Sequence, residues 1–181
     1  MLINIFKRYD KAIVISTQFL NQEPCEVAFF HLRAVAYLEK SIESLSLNET
    51  IECLNFAKAD ILKAIELDDN DHEIYFYASL IFAFLDEIDT ALVYSLESIK
   101  RSLFDSRPYN MLFLLLVYKG LYDQAIKVMA DSEREFPCDF GMILNKISFE
   151  QHYYGPETAL LTVKSALELW NGLYSFSSIS S

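Results

Sequence analysis

The chain has 181 residues, of which 52% are hydrophobic, and it carries 15 Lys and Arg against 26 Asp and Glu, for a net charge of −11. This apolar fraction excludes wholesale disorder, and the acidic balance argues against nucleic-acid binding. With only four glycines and four prolines, the sequence lacks the turn residues that an all-β sandwich or barrel needs every ~10 residues. We therefore predict an all-α protein.

The first predicted element is a single helix that ends before Pro24. Residues 9–12 (YDKA) resemble residues 122–125 (YDQA), and a proline follows each tetrad at the same distance, at Pro24 and Pro137. Proline ends a helical unit because it lacks the N–H that a continuing helix would use. We therefore predict that residues 1–24 are a half repeat that contains only the second helix of a helix pair.

The next segment, residues 25–70, is longer than a regular helix pair. Tyr37 and Ala57 are 20 residues apart, which is 11 more than the corresponding residues of the following pair. The extra residues are not rich in Gly or Pro, so we predict an irregular repeat with two lengthened helices and a short protruding turn. Ser46 and Glu49 have the spacing of a capping box at the start of the second helix.

Small residues recur along the chain with a fixed period. Four alanines are equally spaced: Ala57, Ala91, Ala125 and Ala159. Seven residues after each of them stands another small residue: Ala64, Ser98, Ser132 and Ala166. Antiparallel helices can approach closely only where the side chains at their crossing are short. A helix–turn–helix unit that repeats with this period, ~34 residues, is the tetratricopeptide repeat (TPR). The sequence therefore predicts a tetratricopeptide-repeat superhelix, an α-solenoid of antiparallel helix pairs.

Three regular repeats complete the predicted order, over residues 71–104, 105–138 and 139–172, and residues 173–181 have the composition of a polar tail or the start of a linker. Nine helices are expected near 7–22, 26–45, 49–67, 72–84, 88–101, 107–118, 122–135, 140–153 and 157–171. The unfinished half repeat and the uncapped last helix predict that the isolated chain self-associates, because repeat arrays need polar caps.

The sequence contains no motif of a catalytic, phosphate-binding or metal-binding site. It has no Gly-rich phosphate loop and no HExxH, CxxC or GxSxG pattern. The histidines are isolated from one another: His31, His72 and His152. The cysteines are odd in number and far apart: Cys25, Cys53 and Cys138. This pattern fits a reducing cytosol better than a disulfide framework. We therefore expect a cytoplasmic protein that is not an enzyme and has no cofactor or bound metal.

Two charged clusters have alternative interpretations. Residues 66–73 (ELDDNDHE) hold five acids but no glycine for the bend of a calcium loop. Asp71 is expected instead to cap the following helix, because acids are favoured at helix N-termini. Lys100, Arg101 and Arg107 form a basic cluster at an inter-repeat turn. Contact with a phosphate or a lipid headgroup is one interpretation of this cluster, and a solvated turn is the favoured one.

Binding of partners is expected on the concave face of a TPR array, which is lined by first-helix residues. The candidate partner-binding residues are His31, Val35, Phe76, Leu80, Asn110, Leu114, Tyr118, Ser148 and Gln151. The first helix over 72–84 has no Lys or Arg, which argues against a carboxylate clamp for an acidic chaperone C-terminus. Its five aromatic residues cannot all face inward at 3.6 residues per turn. Unless they pack only within the array, we expect some of them to contact a partner.

The C-terminal third carries more specific motifs than the TPR spacing. They are residues 135–140 (EFPCDF), 143–146 (ILNK), 155–162 (GPETALLT) and 169–177 (LWNGLYSFS). Together they resemble the tetratricopeptide repeat domain 7 family, the scaffold subunit of the plasma-membrane phosphatidylinositol 4-kinase alpha complex. The resemblance is sharp over about 105–178 and general over 1–104. Asp139 and Thr158 depart from the family, which often has Asn and Ala there.

The resemblance implies a non-catalytic protein–protein interaction scaffold. The family bridges the lipid kinase, a hyccin-type subunit and a palmitoylated membrane anchor, so that phosphatidylinositol 4-phosphate is made at the plasma membrane. It therefore implies these protein partners and a cytoplasmic location, peripheral at the plasma membrane through them. Family members are several times longer, so we expect this chain to be a fragment that begins in mid-repeat. No short motif assigns individual contact residues.

A second hypothesis is a free-standing, small, acidic TPR chaperone of bacterial protein secretion. Such a chaperone should be complete at this length, whereas a scaffold fragment should have further repeats encoded in frame upstream of Met1. Mapping the transcript upstream of Met1 therefore distinguishes the two hypotheses.

Overall fold

The structure, a computed structural model, describes residues 2–102 and 104–175. These residues form nine α-helices and no β-strand. The helices are α1 (Leu2–Gln22), α2 (Val27–Glu43), α3 (Leu47–Leu67), α4 (His72–Phe84), α5 (Ile88–Arg101), α6 (Arg107–Tyr118), α7 (Tyr122–Glu135), α8 (Phe140–Tyr153) and α9 (Pro156–Ser175). The prediction of an all-α fold is confirmed. Within the described residues, no helix is long and apolar enough to span a bilayer. The final part of the predicted tail, 176–181, lies outside the described residues.

The chain divides into two compact units, Met1–Pro108 and Tyr109–Ser181. In the first unit, each helix packs against the next one along the chain. The core of this unit consists of buried residues of α2, α3 and α4: Ala34, Leu38, Leu54, Ala57, Ile61, Ala64, Ile74, Ala78 and Ile81. Alanine thus supplies four of the nine core side chains, as expected where helices cross closely.

The four equally spaced alanines are all buried. Two buried serines of α5 each donate their hydroxyl to a backbone carbonyl of a neighbouring segment, and one of them, Ser98, stands where the preceding repeat has Ala64. Ser98 Oγ donates to the carbonyl of His72 at 2.8 Å, and Ser95 Oγ donates to that of Pro108 at 2.8 Å. A serine is nearly as small as alanine, so it permits the close helix crossing. In α5 the buried hydroxyl is also hydrogen-bonded, as buried polar groups usually are. The small-residue register therefore marks true helix contacts.

The pair formed by α2 and α3 is longer than the regular pair that follows. The two helices have 17 and 21 residues, against 13 and 14 in α4 and α5. The turn between them covers only residues 44–46. The structure thus has two long helices joined by a three-residue turn over these residues, and the division of the chain into repeats stays a prediction.

Two helix starts test the predicted caps. Asp71 caps α4, because its carboxylate accepts a hydrogen bond from the Glu73 backbone N–H at 2.8 Å. The capping box at α3 is wrong: the Ser46 side chain makes no capping hydrogen bond. The Ser44 hydroxyl takes over instead, since it accepts from the Ser46 N–H at 3.2 Å and donates to Glu49 at 3.0 Å. The short turn brings Ser44 close enough to replace the expected reciprocal pair.

Aromatic side chains contribute to the packing of the second unit. Phe113 of α6 meets Phe149 of α8 edge to face, with 5.8 Å between the ring centroids. Tyr122 of α7 lies 6.2 Å from the same Phe149 ring. Phe140 of α8 meets Trp170 of α9 edge to face at 5.3 Å. Such pairs contribute beyond the apolar area that they bury, so this aromatic cluster fixes α8 against its neighbours.

The turns inside three helix pairs share one backbone feature. Gly120 follows α6 with φ +72°, and Gly155 follows α8 with φ +94°. Asp86, which precedes Gly120 by one repeat period, has φ 61° after α4. A residue in the left-handed region is the usual end of a helix, and glycine adopts it without steric cost. The turn geometry thus recurs at nearly the same spacing as the core alanines.

We expect Gly120→Ala to lower the free energy of unfolding of the second unit by ~1–2 kcal/mol, since a Cβ is strained at this positive φ. Gly172→Ala is the matched control, because Gly172 lies in α9 and a Cβ added there meets nothing within 4 Å. That change should raise stability by ~0.5–1 kcal/mol, as alanine favours a helix over glycine. Urea denaturation followed by Trp170 fluorescence measures both. Equal effects of the two substitutions would contradict the turn assignment.

Candidate protein-interaction surfaces

In the first unit, the predicted binding face comes from α2 and α4. His31 and Val35 of α2 are half-buried, as are Phe76 and Leu80 of α4. The His31 ring lies against Tyr77, with 5.2 Å between the ring centroids. The structure thus joins the two helices through a residue that was not among the predicted site residues. Their partial burial means that these side chains pack within the unit and also reach its surface.

Burial sets the chemistry of His31. Its Nε2 atom is buried and has no hydrogen-bond partner among the described residues. Burial lowers the pKa of His31, although the carboxylates of Glu73 and Asp71 oppose this shift. The imidazole is therefore neutral at pH 7, and it serves this face as an aromatic contact rather than as a positive charge.

A guanidinium group also lies on this face, contributed by the start of α6. Arg107 Cζ is 4.8 Å from the centroid of the Phe76 ring. The same guanidinium donates to Asp105 at 2.8 Å and to Glu73 at 3.4 Å. Because α4 itself has no Lys or Arg, the sequence did not predict a cation on this face. Because Glu73 and Arg107 are one repeat period apart, their spacing was the signal that could have revealed the pair.

In the second unit, three side chains form a polar ladder across α6 and α8. Asn110 Nδ2 donates to Asp139 at 2.6 Å, and Asn145 Nδ2 donates to Asn110 Oδ1 at 2.8 Å. Asp139 also accepts from the Gly141 backbone N–H at 2.9 Å and so caps α8. Asn110 was predicted as a site residue, whereas Asn145 was missed. The separation of Asn110 and Asn145, 35 residues, is close to the repeat period and could have indicated the contact.

The remaining predicted residues of the second unit are exposed. Leu114 and Tyr118 of α6 expose 48% and 69% of their surface. Ser148 and Gln151 of α8 are also exposed, and they lie on the helix that carries Asn145. Leu114 and Tyr118 are one helical turn apart, so they lie on the same side of α6. This side therefore offers apolar and aromatic surface next to hydrogen-bonding groups.

The basic cluster at the α5–α6 turn is neutralised by its own neighbours. Lys100 Nζ lies 2.6 Å from the Glu97 carboxylate. Arg101 binds the same carboxylate at 2.5 Å and stacks on the Tyr75 ring at 4.0 Å. Arg107 pairs with the two carboxylates described above. Each cation is thus matched by an acid, which argues against a phosphate or headgroup site at this turn.

Sequence comparison identifies relatives for part of the chain. No family model matches the sequence. Human tetratricopeptide repeat protein 7A is 32% identical over 117 residues, which are 65% of this chain and 14% of that protein. Mouse tetratricopeptide repeat protein 7B is 30% identical over 112 residues, which are 62% of this chain and 13% of that protein. The chain thus matches about one seventh of the length of these curated relatives.

Solved structures share the fold at low sequence identity. A crystal structure of MamA superposes with a TM-score of 0.74 at 19% identity, covering 92% of this chain and 91% of that one. TTC0263, a TPR protein of Thermus thermophilus, has a TM-score of 0.68 at 16% identity, with coverage of 84% and 73%. YrrB, described as a TPR protein with an unusual peptide-binding site, has a TM-score of 0.66 at 15% identity, with coverage of 93% and 81%. The repeat period, the helix pairs and these similarities agree: the chain is a tetratricopeptide-repeat protein related in sequence to part of tetratricopeptide repeat proteins 7A and 7B.

Proposed function

We propose that this chain is a non-catalytic scaffold segment that binds protein partners through the first-helix faces of its repeats. The observation that carries the proposal is the surface of α6 and α8 in the second unit. There, exposed Leu114 and Tyr118 lie on the helix that also positions the Asn110–Asn145 ladder. Apolar anchors beside fixed hydrogen-bonding groups are the usual composition of a protein-binding surface.

The two units would contribute differently to binding. In the first unit the face is aromatic and half-buried, with His31, Tyr77 and Phe76 in ring contact and Arg107 stacked at its edge. In the second unit the face has polar amides and exposed apolar side chains. Binding to the first unit would therefore use mainly aromatic surface, and binding to the second would use exposed apolar side chains beside hydrogen-bonding amides.

The complex that we propose for this scaffold recruits phosphatidylinositol 4-kinase to the plasma membrane for phosphatidylinositol 4-phosphate synthesis. The support is the set of motifs between residues 135 and 177 and the similarity to tetratricopeptide repeat proteins 7A and 7B. The proposed partners are the lipid kinase, a hyccin-type subunit and a palmitoylated membrane anchor. The protein would then be cytoplasmic and peripheral at the plasma membrane through these partners.

We expect the full parent protein to co-precipitate the kinase and hyccin homologues of its own organism from cell extracts. A double variant, Leu114→Ser with Tyr118→Ser, should reduce recovery of at least one of them by about ten-fold, because exposed aromatic and aliphatic anchors dominate such interfaces. Leu167→Ser is the matched control. Leu167 is similarly exposed, but it lies on α9, the second helix of its pair, and so outside the proposed first-helix binding face.

Two results would count against the proposal at different levels. Recovery of neither partner by the unmodified protein would reject the kinase complex. Recovery that the double variant leaves unchanged would reject the α6 surface as the contact while leaving the complex in place. Circular dichroism of each variant checks that its helices are intact.

A further inference from the structure

The tip of the α2–α3 pair carries exposed apolar side chains. Within the tip, defined as residues 39–52, Leu45 is fully exposed, and Leu47, Ile42 and Ile51 expose 74%, 59% and 45% of their surface. These four residues lie within ten positions around a three-residue turn. Exposed apolar residues are normal when scattered, whereas a cluster of them marks an interaction surface. Neither helix packing nor the TPR period requires this cluster, because it belongs to the extra length of the pair.

A cavity of about 310 Å³ opens beside the tip. Among the described residues that line it are the carboxylates of Asp10, Glu43 and Glu49 and one cation, Lys40. Lys40 Nζ is held by Asp10 at 2.9 Å and lies 4.0 Å from Glu49. The cavity wall therefore has an excess of negative charge that its own lysine does not balance.

One carboxylate oxygen of this cavity is unsatisfied. Glu43 Oε1 accepts a hydrogen bond from the Tyr9 hydroxyl at 3.1 Å. Glu43 Oε2 is buried and finds no hydrogen-bond partner within the described part of the chain. A buried carboxylate oxygen without a donor is unfavourable, and a positively charged donor satisfies it best. The cavity thus fits the end of a lysine or arginine side chain.

We propose that the tip and its cavity form a docking surface for a protein segment that combines apolar side chains with a lysine or arginine. The apolar side chains would cover Leu45 and Leu47, and the basic side chain would enter the cavity and donate to Glu43. This surface belongs to the irregular pair rather than to the predicted concave-face residues, so the inference does not depend on the proposed function.

Charge selects this occupant over two others. Residues 39–52 contain four glutamates and one lysine, and such an acidic rim is repelled by the anionic lipids of a membrane surface. A second copy of the chain would bring the same acidic tip and a further net charge of −11. A basic and apolar segment of a partner protein complements both the charge and the exposed side chains.

The test is an unbiased selection of random displayed peptides on the full chain, with counter-selection on the Leu45→Ser, Leu47→Ser double variant. We expect the enriched peptides to combine apolar residues with Lys or Arg. They should bind the double variant at least about ten-fold more weakly, measured by fluorescence anisotropy. Leu45 and Leu47 are exposed, so both substitutions should leave folding unchanged. Leu144→Ser, at an exposed leucine of α8, is the control and should leave affinity unchanged.

A second measurement isolates the cavity. Glu43→Gln should weaken a selected Lys-containing peptide, and replacing that lysine by glutamine in the peptide should produce a similar loss. Because both changes remove the same ion pair, their combination should cost little more than either alone. Additive losses would overturn the assignment of the basic side chain to the cavity. If Glu43→Gln impairs folding, the same cycle is measured with Glu49→Gln, since Glu49 is an exposed glutamate of the same cavity.

Several outcomes would overturn the proposal as a whole. They are enrichment of acidic peptides, enrichment of peptides that the double variant binds equally well, and failure to enrich any peptide over the counter-selection. Tip-dependent binding to vesicles containing phosphatidylserine would assign the surface to a membrane instead. Tip-dependent dimerisation in sedimentation velocity would assign it to a second copy.

Discussion

Replacing Asp60 with alanine is expected to lower the free energy of unfolding of the first unit by ~2–4 kcal/mol. Asp60 of α3 receives two parallel hydrogen bonds of 2.7 Å from the Arg33 guanidinium of α2. Arg33 also donates to the Thr17 hydroxyl of α1 at 3.1 Å. Arg33 and Asp60 thus tie three helices together, and hydrogen bonding to Asp60 raises the pKa of Arg33.

The cost is high because the pair is shielded from water. The side chains of Arg33 and Asp60 are only 19% and 9% exposed. Removal of the carboxylate would leave a largely buried guanidinium, which stays charged at every accessible pH, without its main acceptor. A bidentate pair of this geometry cannot be replaced by a single neighbouring hydroxyl.

Hydrogen exchange read by mass spectrometry measures this effect within one unit. Peptides of α2 and α3 should lose protection in Asp60→Ala, while peptides of α8 and α9 should not. Asp10→Ala is the matched control, since Asp10 pairs with Lys40 at 2.9 Å but is 63% exposed. Exposed pairs contribute ~0–1 kcal/mol. Equal loss of protection in the two variants would show that the Arg33–Asp60 pair has no special role.

The second large effect is expected from Ala125→Leu, with a cost of ~1–3 kcal/mol. Ala125 of α7 is fully buried and belongs to the series of equally spaced alanines. A leucine at this position would insert three more carbon atoms into a close helix crossing. The neighbouring backbone would have to move, because the interior is already close-packed.

Ala130→Leu is the control within the same helix, since Ala130 is exposed. Its added side chain would extend into solvent and leave stability within ~0.5 kcal/mol of the unmodified protein. Thermal denaturation followed by Trp170 fluorescence compares the two variants. An unchanged melting temperature for Ala125→Leu would show that the small-residue register does not mark the helix crossings.

The sequence predicted the existence of all nine helices of the described residues, most of their ends within about two residues. Its strongest signals were local ones: a proline after two of the repeat units, an acid such as Asp71 at a helix start, and few glycines elsewhere. Local backbone hydrogen bonds form a helix, so local residues are sufficient to predict it. The capping box at Ser46 failed because Ser44, two residues earlier, competes for the same backbone group.

The candidate site was predicted less completely. Tyr118 and Leu114 were chosen from their place in the repeat and are exposed. Asn145 and Arg107 were missed, although each contacts a residue about one period away. A search for pairs of complementary side chains at that spacing would have found both contacts. The Arg33–Asp60 pair has a spacing of 27 residues, so no periodic rule could have revealed it.

The sequence by itself determined the fold class, the helix order and the close crossings, because small residues at a fixed period leave one way to pack successive helices. Only the tertiary structure decided which long side chains meet between them. Arg107 reaches Phe76, and Arg33 reaches Asp60, through the rotation and offset of each helix about its axis. Those offsets are set by packing across the whole unit, so they cannot be read from any single segment. The same offsets open the acidic cavity beside Leu45, where the sequence showed only a lengthened helix pair.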